Sequence, residues 1–142
     1  TDPGRELDWH NLLAACGGFE GSPRELQTCD THKGNQPLTH LNPLGPLHGL
    51  KYYSDGRIDG PGDAVRTELE AVLNLNAELL RRNRVAAYDA LVASLRLRLG
   101  SGKWTLPQLQ RAREQLRERR PAPEFLGVLE FWLERLAHCR AP

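Results

Sequence analysis

Apolar and polar positions alternate differently in the two halves of the chain. From residue 63 onward apolar side chains recur at helical spacing. Val65, Leu69, Val72, Leu73 and Leu75 form a first stripe, with Asp63 as its expected N-cap and a stop near residues 74–76. A second helix is expected over residues 77–99, with Leu79, Leu80, Ala87, Leu91, Leu95 and Leu99 inward and Gly100-Ser101-Gly102 as its C-cap and linker. Thr105-Leu106-Pro107 opens a third helix that runs to about Arg120. Pro121 and Pro123 separate it from a fourth over residues 124–139, where Phe125, Leu129, Trp132, Leu133 and Leu136 share a face flanked by Val128 and Phe131. So wide an apolar face suits either a core helix or one that docks on a partner.

Before residue 63 the pattern is irregular and rich in Gly and Pro. Residues 9–15 read as a short apolar stretch, residues 17–28 as a loop, and residues 30–35 as a short helix that Pro37 ends. Leu50-Lys51-Tyr52-Tyr53-Ser54-Asp55-Gly56-Arg57-Ile58 reads as a β-hairpin turning at Asp55-Gly56, because Gly tolerates positive φ and Tyr and Ile suit strands. Gly60-Pro61-Gly62 then breaks the chain. The expected fold is mainly α with a small α+β element, ending in a C-terminal helical bundle. The expected division is residues 1–62 and 63–142, packed together as one domain.

The totals narrow the partners. With 142 residues and 39% apolar content, one domain with a modest core is expected. A formal net charge of +1 excludes a histone-like polycation, so any nucleic-acid contact has to be a local patch. No apolar run is long enough to span a membrane and no signal-like segment opens the sequence, so a cytoplasmic setting is expected. Three cysteines, Cys16, Cys29 and Cys139, argue against a disulfide scaffold.

Chemistry concentrates near the start. Residues 1–62 hold Cys16, Cys29 and four of the five histidines. Two thiolates are half of a tetrahedral zinc shell. His10, His32, His40 and His48, or a cysteine pair upstream of Thr1, are the candidates for the rest. Buried or incidental thiols are the plain alternative.

The order of residues is more specific than their number. Asp8-Trp9-His10-Asn11-Leu12-Leu13 precedes Cys16-Gly17-Gly18, and Cys29-Asp30-Thr31-His32-Lys33-Gly34 follows. Asn42-Pro43-Leu44, the Tyr52–Ile58 hairpin and Leu73-Asn74-Leu75-Asn76 come next, in that order. This succession, over about residues 7–90, resembles the second half of an HNH endonuclease, a zinc-stapled ββα-metal finger. It is most similar to the HNH protein that accompanies an ATPase in Septu-type and related retron antiphage systems.

The resemblance implies roles residue by residue. Cys16 and Cys29 would form half of a structural zinc site. Asn11 would brace the loop. Asp30 would bind a catalytic Mg²⁺ or Mn²⁺, with His32 as an alternative ligand, and Lys33 would contact phosphate. The plainer roles are a helix cap for Asn11 and Asp30 and a solvated surface for His32 and Lys33. Arg81 and Arg82 are candidate DNA contacts, with a solvated basic face as the plainer reading. The implied partners are DNA and an ATPase subunit in a hetero-oligomer, with no membrane. This chain carries no P-loop of its own.

One departure matters. The family's Glu-His or Asp-His pair, which supplies the general base, and its first Cys-x-x-Cys would precede Trp9, and residues 1–8 contain neither. Either both lie upstream of Thr1 or the domain has lost activity, with the first expected. Without them the rival reading gains: a non-catalytic, zinc-stabilised interaction module whose helices dock a partner.

Overall fold

A computed structural model describes residues 17–41 and 49–138. The protein is mainly helical with one small antiparallel sheet. After a 3-10 turn at Arg24–Leu26 come helix α1 (Cys29–Lys33), strands β1 (Lys51–Tyr52) and β2 (Ile58–Asp59), and helix α2 (Gly62–Thr67). Helix α2 continues into a π turn at Glu68–Val72, and α3 (Glu78–Leu99), α4 (Leu106–Glu118) and α5 (Leu126–His138) follow. Among the described residues no helix is long and apolar enough to cross a membrane.

The described residues form two compact units: residues 17–41, 49–53 and 57–81, and residues 54–56 with 82–138. The boundary falls in the first turn of α3.

In the first unit, β1 and β2 pair in the register Lys51↔Asp59 and Tyr52↔Ile58. Gly56 takes φ +79° in the turn, as the Asp-Gly signal requires. Ile58, Leu41 and Leu69 form a small buried core, with Leu50, Tyr52, Val65, Leu73 and Leu75 packed around it. Leu69 is buried, as its place on the apolar stripe requires, and the helix widens there: the Leu73 amide bonds the Glu68 carbonyl, five residues back, at 2.9 Å. That π turn buries two consecutive residues, Glu68 and Leu69.

The second unit has the larger core. Leu91 and Leu95 of α3, Trp104, Leu109, Ala112 and Leu116 of α4, and Leu129 and Leu133 of α5 form one buried cluster. Gly100 ends α3 in a left-handed conformation, and its carbonyl accepts a 3.0 Å bond from the buried Trp104 indole. At the head of α4 the Thr105 amide donates to Gln108 Oε1 at 2.7 Å, the Gln108 half of a capping box. Arg113 and Arg117 of α4 pair with Glu130 and Glu134 of α5, and Tyr88 lies against Trp132 with ring centroids 4.6 Å apart.

Three details of the periodicity reading are corrected. Leu79, expected inward, is exposed; it lies in the first turn of α3, ahead of the stretch that the core covers. Asp63 does not cap α2, which begins one residue earlier at Gly62; its carboxylate instead accepts from Arg66 at 2.8 Å. Phe125 is not on the α5 face, because it adopts a left-handed backbone (φ +57°) before the helix starts.

Candidate functional site

Helix α1 carries Cys29, Asp30, His32 and Lys33, and its place in the first unit is set from both sides. On one side lies the loop that begins at Gly17. The Thr28 amide donates to the Gly18 carbonyl at 2.9 Å and the Thr31 hydroxyl to the Gly17 carbonyl at 3.3 Å. Gly18 is buried with φ +55°, and a Cβ there would collide with the Thr28 carbonyl and the Thr31 side chain. The Gly-Gly after Cys16 is therefore a packing requirement at Gly18.

On the other side lies the end of the π turn. The Cys29 amide donates to the Leu73 carbonyl at 2.8 Å, and His32 Nδ1 stands 3.0 Å from the Val72 carbonyl. A carbonyl only accepts, so His32 Nδ1 carries a proton and Nε2 is the ring nitrogen left for a ligand. Asn74 completes the clamp. Its Nδ2 donates to the carbonyls of Glu25 (3.1 Å) and Gln27 (2.9 Å), just before α1. Asn74 has φ +48°, a conformation that asparagine accepts more readily than most residues. Asn76 grips the hairpin in the same way, taking the Ile58 amide on Oδ1 at 2.9 Å and giving Nδ2 to the Ile58 carbonyl at 3.0 Å. The Leu73-Asn74-Leu75-Asn76 run thus ties the α1 loop and the hairpin to one short segment.

Within α1 the side chains separate by environment. Cys29, the first residue, is half-buried. The Asp30 side chain is 72% exposed. Lys33 Nζ lies 3.7 Å from Asp30 Oδ1 and donates to the Gly34 carbonyl at 3.0 Å. Thr28, just before α1, is 0% exposed, and its hydroxyl has no hydrogen-bond partner among the described residues.

A second polar centre was missed by sequence reasoning. Glu68, 6% exposed, collects the loop at residues 39–41. Its carboxylate accepts from the Thr39 amide (2.8 Å), the Thr39 hydroxyl (3.0 Å), the His40 amide (3.0 Å) and the Leu41 amide (2.7 Å). His40 Nδ1 is 3.0 Å from the same carboxylate. Burial alone would raise the Glu68 pKa. The Thr39 and Leu41 amides, the His40 ring and the His40 amide outweigh it and bring it down to about 2. His40, a zinc candidate by composition, is thus engaged with Glu68. A glutamate beside a leucine is ordinary on an amphipathic helix, so the residues alone give no sign of this role.

Asn11, Cys16, His10, His48, Asn42-Pro43-Leu44 and Cys139 lie outside the described residues. Among the described residues no three His, Cys, Asp or Glu side chains come together as a metal-binding group. Arg81 is half-buried and Arg82 exposed, and the unit boundary passes between them, so Arg82 and Lys33 belong to different units. The chain matches no protein-family model, no curated protein and no solved structure.

Proposed function

We propose that this chain is the latter part of an HNH-type, metal-dependent endonuclease that cleaves DNA phosphodiesters in an antiphage complex with an ATPase. The reading rests on the ordered resemblance of residues 7–90. The observation that supports it most is the split at the head of α1: Cys29 is half-buried while its neighbour Asp30 is turned to solvent. A structural thiolate belongs in the first environment and a ligand that must meet substrate belongs in the second.

The donor chemistry suits both metals. Cys29, together with Cys16, would hold zinc. The Asp30 carboxylate would hold Mg²⁺ or Mn²⁺, and His32 offers Nε2 as a further donor, its ring orientation fixed by the Val72 carbonyl as is usual for ligating histidines. When bound, the divalent ion supplies charge neutralisation on the phosphate oxygens and the leaving 3′-oxygen. Lys33, 3.7 Å from Asp30, would neutralise a phosphate oxygen once its bond to the Gly34 carbonyl is released. Hydrolysis forms one bond from water to phosphorus and breaks the P–O3′ bond. The proton leaving the water needs a base, and the family's histidine for this step does not occur in residues 1–8.

The test uses the natural full-length protein purified with its ATPase partner, supplied with plasmid DNA and Mn²⁺. Asp30→Ala is expected to abolish cleavage and leave bound zinc unchanged, whereas Cys29→Ser is expected to lower bound zinc. Cleavage that survives Asp30→Ala refutes the ligand assignment. Stoichiometric zinc with no cleavage by the wild type replaces the nuclease reading with the interaction module.

A further inference from the structure

Charge is distributed unevenly between the two units. Residues 1–53 with 57–81 contain seven Lys and Arg against eleven Asp and Glu; residues 54–56 with 82–142 contain twelve against seven. Eleven of those twelve cations are arginine, and only Lys103 is not. A chain that is nearly neutral as a whole therefore includes a distinctly basic helical unit.

The acids of that unit are partly occupied inside it. Glu130 and Glu134 of α5 face Arg113 and Arg117. On another side of α4 the pairing is different. Arg111 and Gln115 share a ridge of the helix, and Arg119, four residues further on, is the C-cap residue at the end of that ridge. From α3, Arg98 reaches this ridge and donates to Gln115 Oε1 at 2.5 Å, a neutral acceptor that leaves its charge uncompensated. Arg111 and Arg119 are exposed, with no side-chain partner among the described residues. The acids of α4, Glu114 and Glu118, lie one ridge further round, on the side away from Gln115's contact with α3.

We propose that Arg98, Arg111 and Arg119 form a binding surface for the phosphate backbone of a nucleic acid. Each guanidinium presents a planar fork that fits phosphate oxygens. Four helical residues rise about 6 Å, so Arg111 and Arg119 are about 12 Å apart along the axis. A nucleic-acid strand rises about 3.4 Å per phosphate, so the row spans three to four phosphates of one strand. The contact is to phosphate and not to bases, so it is insensitive to sequence and sensitive to salt. This surface stands independently of the nuclease reading, because it needs neither a metal nor the residues of α1.

The experiment is fluorescence anisotropy of a labelled random-sequence DNA duplex with the full chain, in buffer without Mg²⁺ or Mn²⁺. Three phosphate contacts predict an affinity loss of about 40-fold between about 50 mM and about 200 mM salt. Arg111→Gln with Arg119→Gln is expected to weaken binding about tenfold or more at the lower salt and to reduce the salt slope by about 2. Gln115→Glu places a carboxylate in the row and is expected to weaken binding as well. Arg96→Gln, two residues before Arg98 and on the opposite side of α3, is expected to leave binding unchanged. Matching circular dichroism melts confirm that each variant is folded. The proposal is overturned by absence of DNA binding at low salt, by a double variant that binds like wild type, or by an Arg96→Gln loss as large as the double variant's. Binding to phosphatidylserine vesicles but not to DNA overturns it in favour of a membrane surface.

Discussion

Replacing Glu68 by glutamine tests how the first unit is held together. The wild-type carboxyl titrates at about 2 in the fold and at 4.5 as a free side chain. That difference corresponds to about 3 kcal/mol of stability at neutral pH. The substituted amide would keep one carbonyl oxygen for the donors of Thr39, His40 and Leu41 and turn an NH₂ group against the rest, so the loss is expected to be of that full size. The midpoint of thermal unfolding should fall by on the order of 10 °C. The sign of the pH effect follows from the depressed pKa. The stabilisation is complete above about pH 5 and is lost as the pH falls through 4.5 toward about 2, where the folded carboxylate takes up its proton. Urea titrations of wild type and Glu68→Gln at neutral pH and at about pH 3 measure this. The gap between the two proteins should narrow steadily with acidification. A gap that is already small at neutral pH, or one that stays constant down to about pH 3, refutes the assignment of Glu68 as an ionised anchor.

Two further substitutions probe the seat of α1. Asn74→Ala removes both bonds to the Glu25 and Gln27 carbonyls and places alanine at φ +48°; a loss of about 1–3 kcal/mol is expected, read by urea denaturation, with Asn74→Gly losing less because the backbone is then unstrained. Thr28→Val replaces a buried hydroxyl that has no partner among the described residues by a methyl group of similar size, so a gain of about 1 kcal/mol is expected; a loss would mean that the hydroxyl is bonded in solution.

Some features were legible in the residues alone, because their signals are local. The three long helices follow from 3.6-residue periodicity bounded by Gly100, by Thr105-Leu106-Pro107, and by Pro121 and Pro123. The hairpin follows from Asp55-Gly56 between strand formers, and a short helix expected over residues 30–35 is found at Cys29–Lys33, ending at Gly34 ahead of Pro37. The grouping of thiol, carboxylate, imidazole and amine in α1 is a property of the sequence itself. How they face is not. Cys29 half-buried and Asp30 exposed goes with the bonds from Cys29 to Leu73 and from Asn74 to Glu25 and Gln27, which join residues more than forty positions apart. Tertiary structure alone also decided that Glu68 is a buried anion, that Asn76 completes the hairpin, and that Leu79 is exposed. Periodicity shows which face of a helix is apolar. It carries no information about which distant carbonyl or amide a polar side chain will meet, because that depends on how separate segments pack, and in this chain those meetings set the geometry of the candidate site.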